Sequence, residues 1–331
     1  MIAELRDLTF CNTSRRTENP GELGAVKPDI GLFHTKDKDK GYLFNFRKGG
    51  RNQSSSYVAR MGLVYMFVEI KKSPAQDIFT DPPLKPDSSP NYPFTIDTQS
   101  RRKDDQDRIS ALGQNAHYAH VVQTLQFRTC VFSLTISGKT ARILRWDRSG
   151  VLVTRSFDYK ASPKTLIDFV WRFVNATPIQ QGFDTTANSA DSSDDSDAFR
   201  EAIASHVQLQ LALDPKIHAK ELEEEVNRHL APDVLTRLTI GGFDFWVSRP
   251  LWASHAIVGR CTVGYWGVRC DTKDVVFVKD VWRTSLNEID QEGDILSQLG
   301  EKGVGKIPTV VCHGDVIAEG TRIPLICAMR F

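Results

Sequence analysis

The apolar and polar positions in the first half of the chain predict a region of mixed strands and helices. The stretch GLVYMFVEIKK, residues 62–72, is apolar up to its charged end, which is typical of a buried strand. Residues 107–127 place apolar or small side chains close to helical spacing, and residues 129–159 alternate as strands joined by tight turns. Because strands and helices intermingle, we expect an α/β domain over residues 1–183.

The pattern changes at about Thr236, where short apolar strands follow one another. Strands are predicted in RLTIGGFDFWVSRPLW, HAIVGRCTVGYWGVRC and VVFVKDVW, and a helix in NEIDQEGDILSQLGEKG ends at a glycine. Two further strands follow in IPTVVCHGDV and RIPLICAMRF. This order predicts an α+β domain over residues 236–331, built on an antiparallel sheet with one helix.

An acidic segment separates the two regions. The stretch DTTANSADSSDDSDA contains five aspartates and neither lysine nor arginine. Such a composition lacks the apolar surface that would offset the entropy cost of ordering the chain. We therefore expect residues 184–235 to form a flexible acidic linker followed by a charged helix.

Composition restricts the function classes without naming one. Of 331 residues, 42 are Lys or Arg and 41 are Asp or Glu, which leaves a net charge of +1. The chain as a whole lacks the basic charge typical of nucleic-acid-binding proteins, although a local basic groove would still allow nucleic acid as a partner. The sequence has neither a signal-peptide pattern nor an apolar run near the ~20 residues of a membrane span. We expect an intracellular protein, cytoplasmic or nuclear, with no membrane partner.

The first candidate site lies in the second region, on the strand VVFVKDVW. This strand carries Lys279 among apolar residues, and a helix with Glu292 follows it; Glu288, one turn earlier, is the alternative partner. The hairpin before the strand contains three glycines: Gly259, Gly264 and Gly267. Glycines let backbone N–H groups approach nucleotide phosphates, while a lysine contributes charge and a helix glutamate fixes its position. The pattern predicts an ATP site.

These motifs resemble the fungal-type protein kinase-like family, in which a variable amino-terminal domain precedes a divergent kinase domain. The shared motifs are GRCTVGY, VKDVWR and EGDIL, and FVEIKKS, RILRWDRSGVLVTRSFDY and LIDFVWRF match the amino-terminal half. The resemblance implies a kinase small lobe over residues 236–331, ATP and Mg²⁺ as cofactors, and phosphorylation of an unknown protein substrate by a full-length member. Where family members usually have arginine, this chain has Val263, which removes one charge from the phosphate side.

The sequence contains only part of the machinery for phosphoryl transfer. A kinase needs an HRD-like aspartate to orient the substrate hydroxyl and a DFG-like aspartate to hold Mg²⁺, and neither motif is present. The triplet HGD, residues 313–315, follows Lys279 too closely to be a catalytic loop, and Gly320 stands where a metal-binding asparagine is expected. We expect a truncated kinase that stops before its large lobe and is inactive alone.

A second candidate site lies in the first region. VKPDIGL places a Pro-Asp before one strand, and FVEIKKS places Glu-x-Lys at the end of the next, a pattern that resembles PD-(D/E)xK nucleases with a mixed sheet. In that family pattern Asp29 and Glu69 would bind Mg²⁺ through oxygen. Lys71 would position the attacking water, and Gln114 fits an auxiliary polar position on the next helix.

Three functions stay open on the sequence. They are ATP-dependent protein phosphorylation centred on Lys279 and Glu292, Mg²⁺-dependent phosphodiester cleavage centred on Asp29, Glu69 and Lys71, and a non-catalytic interaction protein that keeps both scaffolds. Loss of ATP binding on replacing Lys279 would favour the first function, and metal-dependent nicking of DNA or RNA would favour the second.

Overall fold

The computed structural model describes residues in two compact units, Met1–Phe183 and Asp184–Phe331. Side chains are described for residues 7–15, 24–37, 57–83, 92–190, 192–230, 235–282 and 290–315. For residues 38–39, 316–318 and 321–330 only the backbone is described. The described residues form two β-sheets and six α-helices, which confirms a mixed α and β protein. No helix in these ranges is long and apolar enough to cross a membrane.

The first unit is built on a seven-stranded sheet. Its strands are β1 (Leu8–Asn12), β2 (Ile30–His34), β3 (Met66–Lys71), β4 (Val131–Ser137), β5 (Thr140–Asp147), β6 (Gly150–Val153) and β7 (Phe157–Asp158). They lie in the order β1–β2–β3–β4–β5–β6, with β7 beside β5. Among the described strand pairs of this sheet, β3 and β4 are parallel and the others antiparallel. The sheet is therefore mixed.

Helices accompany this sheet, and the two longest of them bury its apolar side chains. They are α1 (Thr35–Asp39), α2 (Lys103–Leu125) and α3 (Lys164–Val174). Phe173 and Val174 of α3 pack into a core with Leu134, whereas Tyr118 of α2 lies edge-on to Phe67 at 5.7 Å between ring centroids. α2 begins earlier than the predicted residue 107, since acidic residues in its first turn interact favourably with the helix dipole.

The second unit is built on an eight-stranded sheet. Its strands are β8 (Ala187–Ser189), β9 (Thr236–Ile240), β10 (Phe243–Val247), β11 (Trp252–Ala253), β12 (Val263–Arg269), β13 (Val275–Val281), β14 (Thr309–Ala318) and β15 (Thr321–Arg330). They lie in the order β14–β15–β13–β12–β10–β9–β8, with β11 beside β12. All of these described pairs are antiparallel.

Three helices accompany this sheet, where the sequence pattern predicted two, a charged helix before Thr236 and a helix after Lys279. They are α4 (Ser193–Leu211), α5 (Ala219–His229) and α6 (Glu292–Glu301). The additional α4 lies in the segment expected to be a flexible acidic linker, so that expectation was wrong for these residues. The end of the acidic run forms the first turns of α4: Ser192 is the N-cap and accepts a hydrogen bond from the Asp195 amide at 3.1 Å.

The apolar residues of α4 explain why the acidic segment is ordered. Phe199, Ile203 and Val207 recur every four residues and lie on one face of the helix. They are buried in a core with Trp246 and Val268 of the sheet. Burial of this apolar face offsets the entropy cost of ordering the segment, which the composition of the acidic run alone did not lead us to expect.

Candidate functional sites

Lys279 occupies a central strand of the second unit. β13 lies between β12 and β15, where Lys279 pairs with Gly264 on one side and with Cys327 on the other. The alternate residues Val276 and Val278 point to the opposite face and are buried. This alternation holds β13 in register and presents the lysine side chain on the other face.

The Lys279 side chain is held by Glu292, the helix glutamate that the sequence pattern names as its partner. The lysine Nζ lies 2.6 Å from Oε1 and 2.6 Å from Oε2 of the glutamate. Glu292 is the first residue of α6, where the helix dipole favours a negative charge. Arg260 contributes a weaker second cation, with Nη2 3.9 Å from Oε2. Glu288 lies outside the described residues.

The three predicted glycines have different structural roles. Gly259 has φ of +86° and open space where a Cβ would lie, so its backbone can turn freely before Arg260. A Cβ on Gly264 would lie 2.5 Å from the Phe277 ring, and one on Gly267 would lie 2.5 Å from Val278. Gly264 and Gly267 are therefore required by packing within the sheet, whereas Gly259 lies in the turn before β12.

The HGD triplet lies on β14, in agreement with its exclusion as a catalytic loop by position. His313 contacts the first turn of α6: Nδ1 is 3.2 Å from Gln291 Oε1, and Nε2 is 3.6 Å from Asp294 Oδ1. Sequence reasoning missed this contact, because β14 and α6 meet only in the tertiary structure. The glycine of EGDIL, Gly293, was the available signal.

In the first unit, the structure brings together the four residues of the second candidate site. Asp29 precedes β2, and its Oδ2 accepts a hydrogen bond at 2.8 Å from the backbone N–H of Ile70. Lys71 donates to Glu69 Oε1 at 2.7 Å and to Gln114 Oε1 at 3.2 Å. The Pro-Asp loop, the Glu-x-Lys strand and α2 therefore converge at one point.

Burial dominates the electrostatics of this cluster. The Glu69 side chain is 5% exposed, and burial raises its pKa; Lys71 opposes the rise, and Asp29 adds to it through its charge and opposes it through its backbone. Glu69 Oε2 has no hydrogen-bond partner among the described residues. Burial and the nearby Glu69 charge raise the pKa of Tyr118, which accepts a hydrogen bond from Gln114, to about 12.

The oxygen atoms of this cluster suit a hard cation. Mg²⁺ is bound in proteins through one or two carboxylates, with water and substrate phosphate completing its coordination. Asp29 and Glu69 provide two carboxylates, and the Oε2 atom of Glu69 is available for such a bond. Within the described ranges, no group of three or more His, Cys, Asp or Glu residues could hold a metal ion, so a cation here would depend on these two residues.

A buried arginine fixes the segment that follows Lys71. Arg142 on β5 contacts Asp77 through Nε at 2.8 Å and Asp81 through Nη1 at 2.6 Å. Its Nη2 also donates to the backbone carbonyl of Phe79 at 3.2 Å. Because one side chain holds three points of this loop, the chain leaving the Glu-x-Lys strand has a defined path beside the cluster.

Comparison with known proteins places the chain in a family. A family model described as fungal protein kinase matches residues 91–330. This range includes Lys279 and Glu292, and Asp29, Glu69 and Lys71 precede it. No curated protein and no solved structure matches the chain. Because the matched residues span well over half of the sequence, the chain belongs to the fungal protein kinase family.

Proposed function

We propose that the second unit is a kinase-type small lobe that binds ATP, with Lys279 contacting the phosphates and Glu292 holding the lysine in place. The observation that carries this proposal is the contact of Lys279 Nζ with both carboxylate oxygens of Glu292 at 2.6 Å. A hairpin, a strand bearing lysine and a helix bearing glutamate follow one another in the order found in kinase small lobes. Membership of the family supports the same assignment.

The family implies ATP and Mg²⁺ as cofactors, and the residues of the second unit fit the nucleotide. Lys279 supplies a positive charge, and the turn at Gly259 has room for a ligand next to its backbone. Mg²⁺, bound with the nucleotide, would neutralise charge on the phosphates. An HRD-like and a DFG-like motif, which phosphoryl transfer requires, are not among these 331 residues, so we propose nucleotide binding as the activity of the second unit.

Calorimetric titration with ATP, with and without Mg²⁺, tests this proposal. Lys279→Met is expected to weaken binding about tenfold or more, because a charge-assisted contact with phosphate is worth about 1.5–3 kcal/mol. Lys302→Met is the matched control, since this exposed lysine lies just beyond the other end of α6. Equal ATP affinity in the wild type and in Lys279→Met would contradict the proposal.

The first unit supports a second candidate function, metal-dependent phosphodiester cleavage. The specific observation is the convergence of Asp29, Glu69, Lys71 and Gln114, with a buried carboxylate oxygen left without a partner. A bound Mg²⁺ would stabilise charge on the phosphate. Lys71 would orient a water molecule for attack, and Gln114 would hold Lys71 near the phosphate. The fold would then be of the PD-(D/E)xK type.

Nicking of supercoiled DNA and cleavage of RNA, assayed in Mg²⁺ and in Mn²⁺, test this second function. Cleavage should be lost in Glu69→Gln and in Lys71→Met, and it should persist in Lys72→Met. Lys72 is the appropriate control because it is the exposed neighbour of Lys71 on the same segment. If a folded wild type neither binds ATP nor cleaves nucleic acid, both proposals fail and a non-catalytic interaction protein remains.

A further inference from the structure

We propose that His313 is a positioning residue for the Lys279–Glu292 pair, acting through the first turn of α6; this inference rests on the proposed ATP-binding function. The imidazole lies against three residues that flank the glutamate. Nδ1 is 3.2 Å from Gln291 Oε1, and Nε2 is 3.6 Å from Asp294 Oδ1. His313 thus contacts the residues on both sides of Glu292.

The strand geometry explains how the ring reaches the helix. β14 contains a register shift between Val310 and Cys312, where two residues advance on β14 against one on β15. An extra residue of this kind bends a strand and redirects the following side chains. His313 comes immediately after the shift, on the strand that packs against α6.

The packing of the ring determines which residue can follow Glu292. A Cβ on Gly293 would lie 2.1 Å from Cγ, 2.4 Å from Cδ2 and 2.6 Å from Cβ of His313. These separations are far below van der Waals contact, and two of the three atoms belong to a rigid ring. Gly293 is therefore glycine because the imidazole occupies the space of its side chain, which accounts for the glycine of the EGDIL motif.

The start of α6 needs an anchor of this kind. Gln291 is the N-cap, yet its side chain makes no capping hydrogen bond to the helix. α6 has only ten residues, and its first turn carries the glutamate whose carboxylate must meet Lys279. A ring wedged against Gly293, with its two nitrogens facing Gln291 and Asp294, limits rotation and sliding of this turn. The carboxylate of Glu292 is then presented at a fixed distance from β13.

A double-variant experiment tests the mechanism. His313→Ala should weaken ATP binding about tenfold, the scale of one displaced charge-assisted contact. Gly293→Ala should do the same, because its methyl group would displace the ring. The double variant Gly293→Ala/His313→Gly should bind better than Gly293→Ala alone, since the new methyl then meets neither the ring nor the Cβ of residue 313. His313→Asn should retain most of the affinity, and His218→Ala, at the N-cap of α5, is the control.

Hydrogen exchange at the Ile295 amide provides a second measurement that is independent of ATP. This amide donates to the Gln291 carbonyl at 3.1 Å and reports whether the first turn of α6 is closed. His313→Ala should increase its exchange, and His218→Ala should not. A wild type that fails to bind ATP overturns the proposed function, and the exchange experiment then decides the role of His313. Unchanged exchange in His313→Ala, or unchanged affinity where the wild type binds, overturns the inference.

Discussion

The two candidate sites each contain a lysine–glutamate pair, and the pairs differ in how completely the carboxylate is satisfied. Lys71 and Glu69 are two residues apart on one strand, share one contact at 2.7 Å, and leave Glu69 Oε2 without a partner among the described residues. Lys279 and Glu292 come from a strand and a helix, and both carboxylate oxygens lie 2.6 Å from the lysine. The Glu69 side chain is 5% exposed and that of Glu292 is 34% exposed.

This difference shows two ways of preparing a charged site. A buried carboxylate with one open oxygen costs folding free energy, and a cation that completed its coordination would recover part of that cost. A half-exposed carboxylate with both oxygens on one lysine costs little and holds that lysine in a fixed place. The arrangement at Glu69 is compatible with a metal ligand, whereas the arrangement at Glu292 is compatible with a lysine positioned to bind a phosphate.

The largest expected effect is on the free energy of unfolding when the lysine of each pair is replaced by methionine. Lys71→Met leaves the buried Glu69 charge without its cation, so the free energy of unfolding of the first unit should fall by about 3 kcal/mol at pH 8. Lys279→Met should cost at most about 1 kcal/mol, because Glu292 can reach solvent. Hydrogen exchange of amides in each unit, measured on the whole chain, gives both values. Equal losses would show that the two pairs do not differ as described.

A pair of glycine substitutions compares the packing around the two sites. Gly264 is the strand neighbour of Lys279, and a methyl there would strike Phe277, so Gly264→Ala should destabilise the second unit by about 1–3 kcal/mol. Gly113 precedes Gln114 on α2 and has open space around it. Gly113→Ala should stabilise the first unit by about 0.5–1 kcal/mol, since glycine is a poor helix former. Urea unfolding followed by exchange in each unit measures both, and a stable Gly264→Ala would contradict the tight packing.

The pH dependence of stability sharpens the comparison further. Burial raises the pKa of folded Glu69, so the folded state keeps this proton to higher pH than the unfolded state. The contribution of protonated Glu69 to the free energy of unfolding is fully present below the pKa of the unfolded state. It is lost as the pH rises through the pKa of the folded state. Glu69→Gln should therefore raise the unfolding temperature of the first unit by a few degrees at neutral pH, with the difference vanishing in acid.

Glu223 on α5 provides a control of opposite sign for that experiment. The Arg200 side chain lowers the pKa of this exposed carboxylate, so its contribution is present above the unfolded pKa and is lost as pH falls. Glu223→Gln should slightly lower the unfolding temperature at neutral pH. An effect of Glu69→Gln with the same sign and pH range as Glu223→Gln would refute the burial argument.

The smallest expected effect concerns the second cation near Glu292. Arg260 Nη2 is 3.9 Å from Oε2, and the arginine side chain is 69% exposed. An exposed contact at this distance contributes little, so Arg260→Ala should change the unfolding free energy by less than about 0.5 kcal/mol. Thermal unfolding in low salt gives the test. A larger loss would mean that the glutamate is shared between two cations.

The sequence predicted the elements whose pattern is local. The strand ending in Glu-x-Lys follows from an unbroken apolar run, and β3 ends at Lys71 as the charged boundary indicates. Motif spacing also named Asp29 and Gln114, which contact Ile70 and Lys71 of that strand in the folded chain. Both contacts join residues more than 40 positions apart in the sequence. Hydrophobic periodicity describes only neighbouring residues, so these contacts could be anticipated from the motif and not from the periodicity.

What the sequence failed to predict depends on tertiary context. The apolar face of α4 consists of Phe199, Ile203 and Val207. The sequence analysis considered the mean composition of the acidic segment, and in that mean three apolar residues spaced four positions apart have little weight. The role of His313 depends on the packing of β14 against α6. This packing cannot be predicted from the spacing of residues along the sequence. In both cases the missing information was which surface the residue would face.

Because β3 pairs in parallel with β4, Glu69 and Lys71 gain their neighbours on that side only after the connection over residues 72–130 has closed. Lys279 instead arrives on a hairpin strand, joined to β12 by the turn over residues 270–274, and α6 follows soon afterwards. Closing a long connection costs more chain entropy and slows folding. The lysine–glutamate pair of the second unit should therefore assemble early in refolding, and the cluster around Glu69 should be among the last parts of the molecule to become ordered.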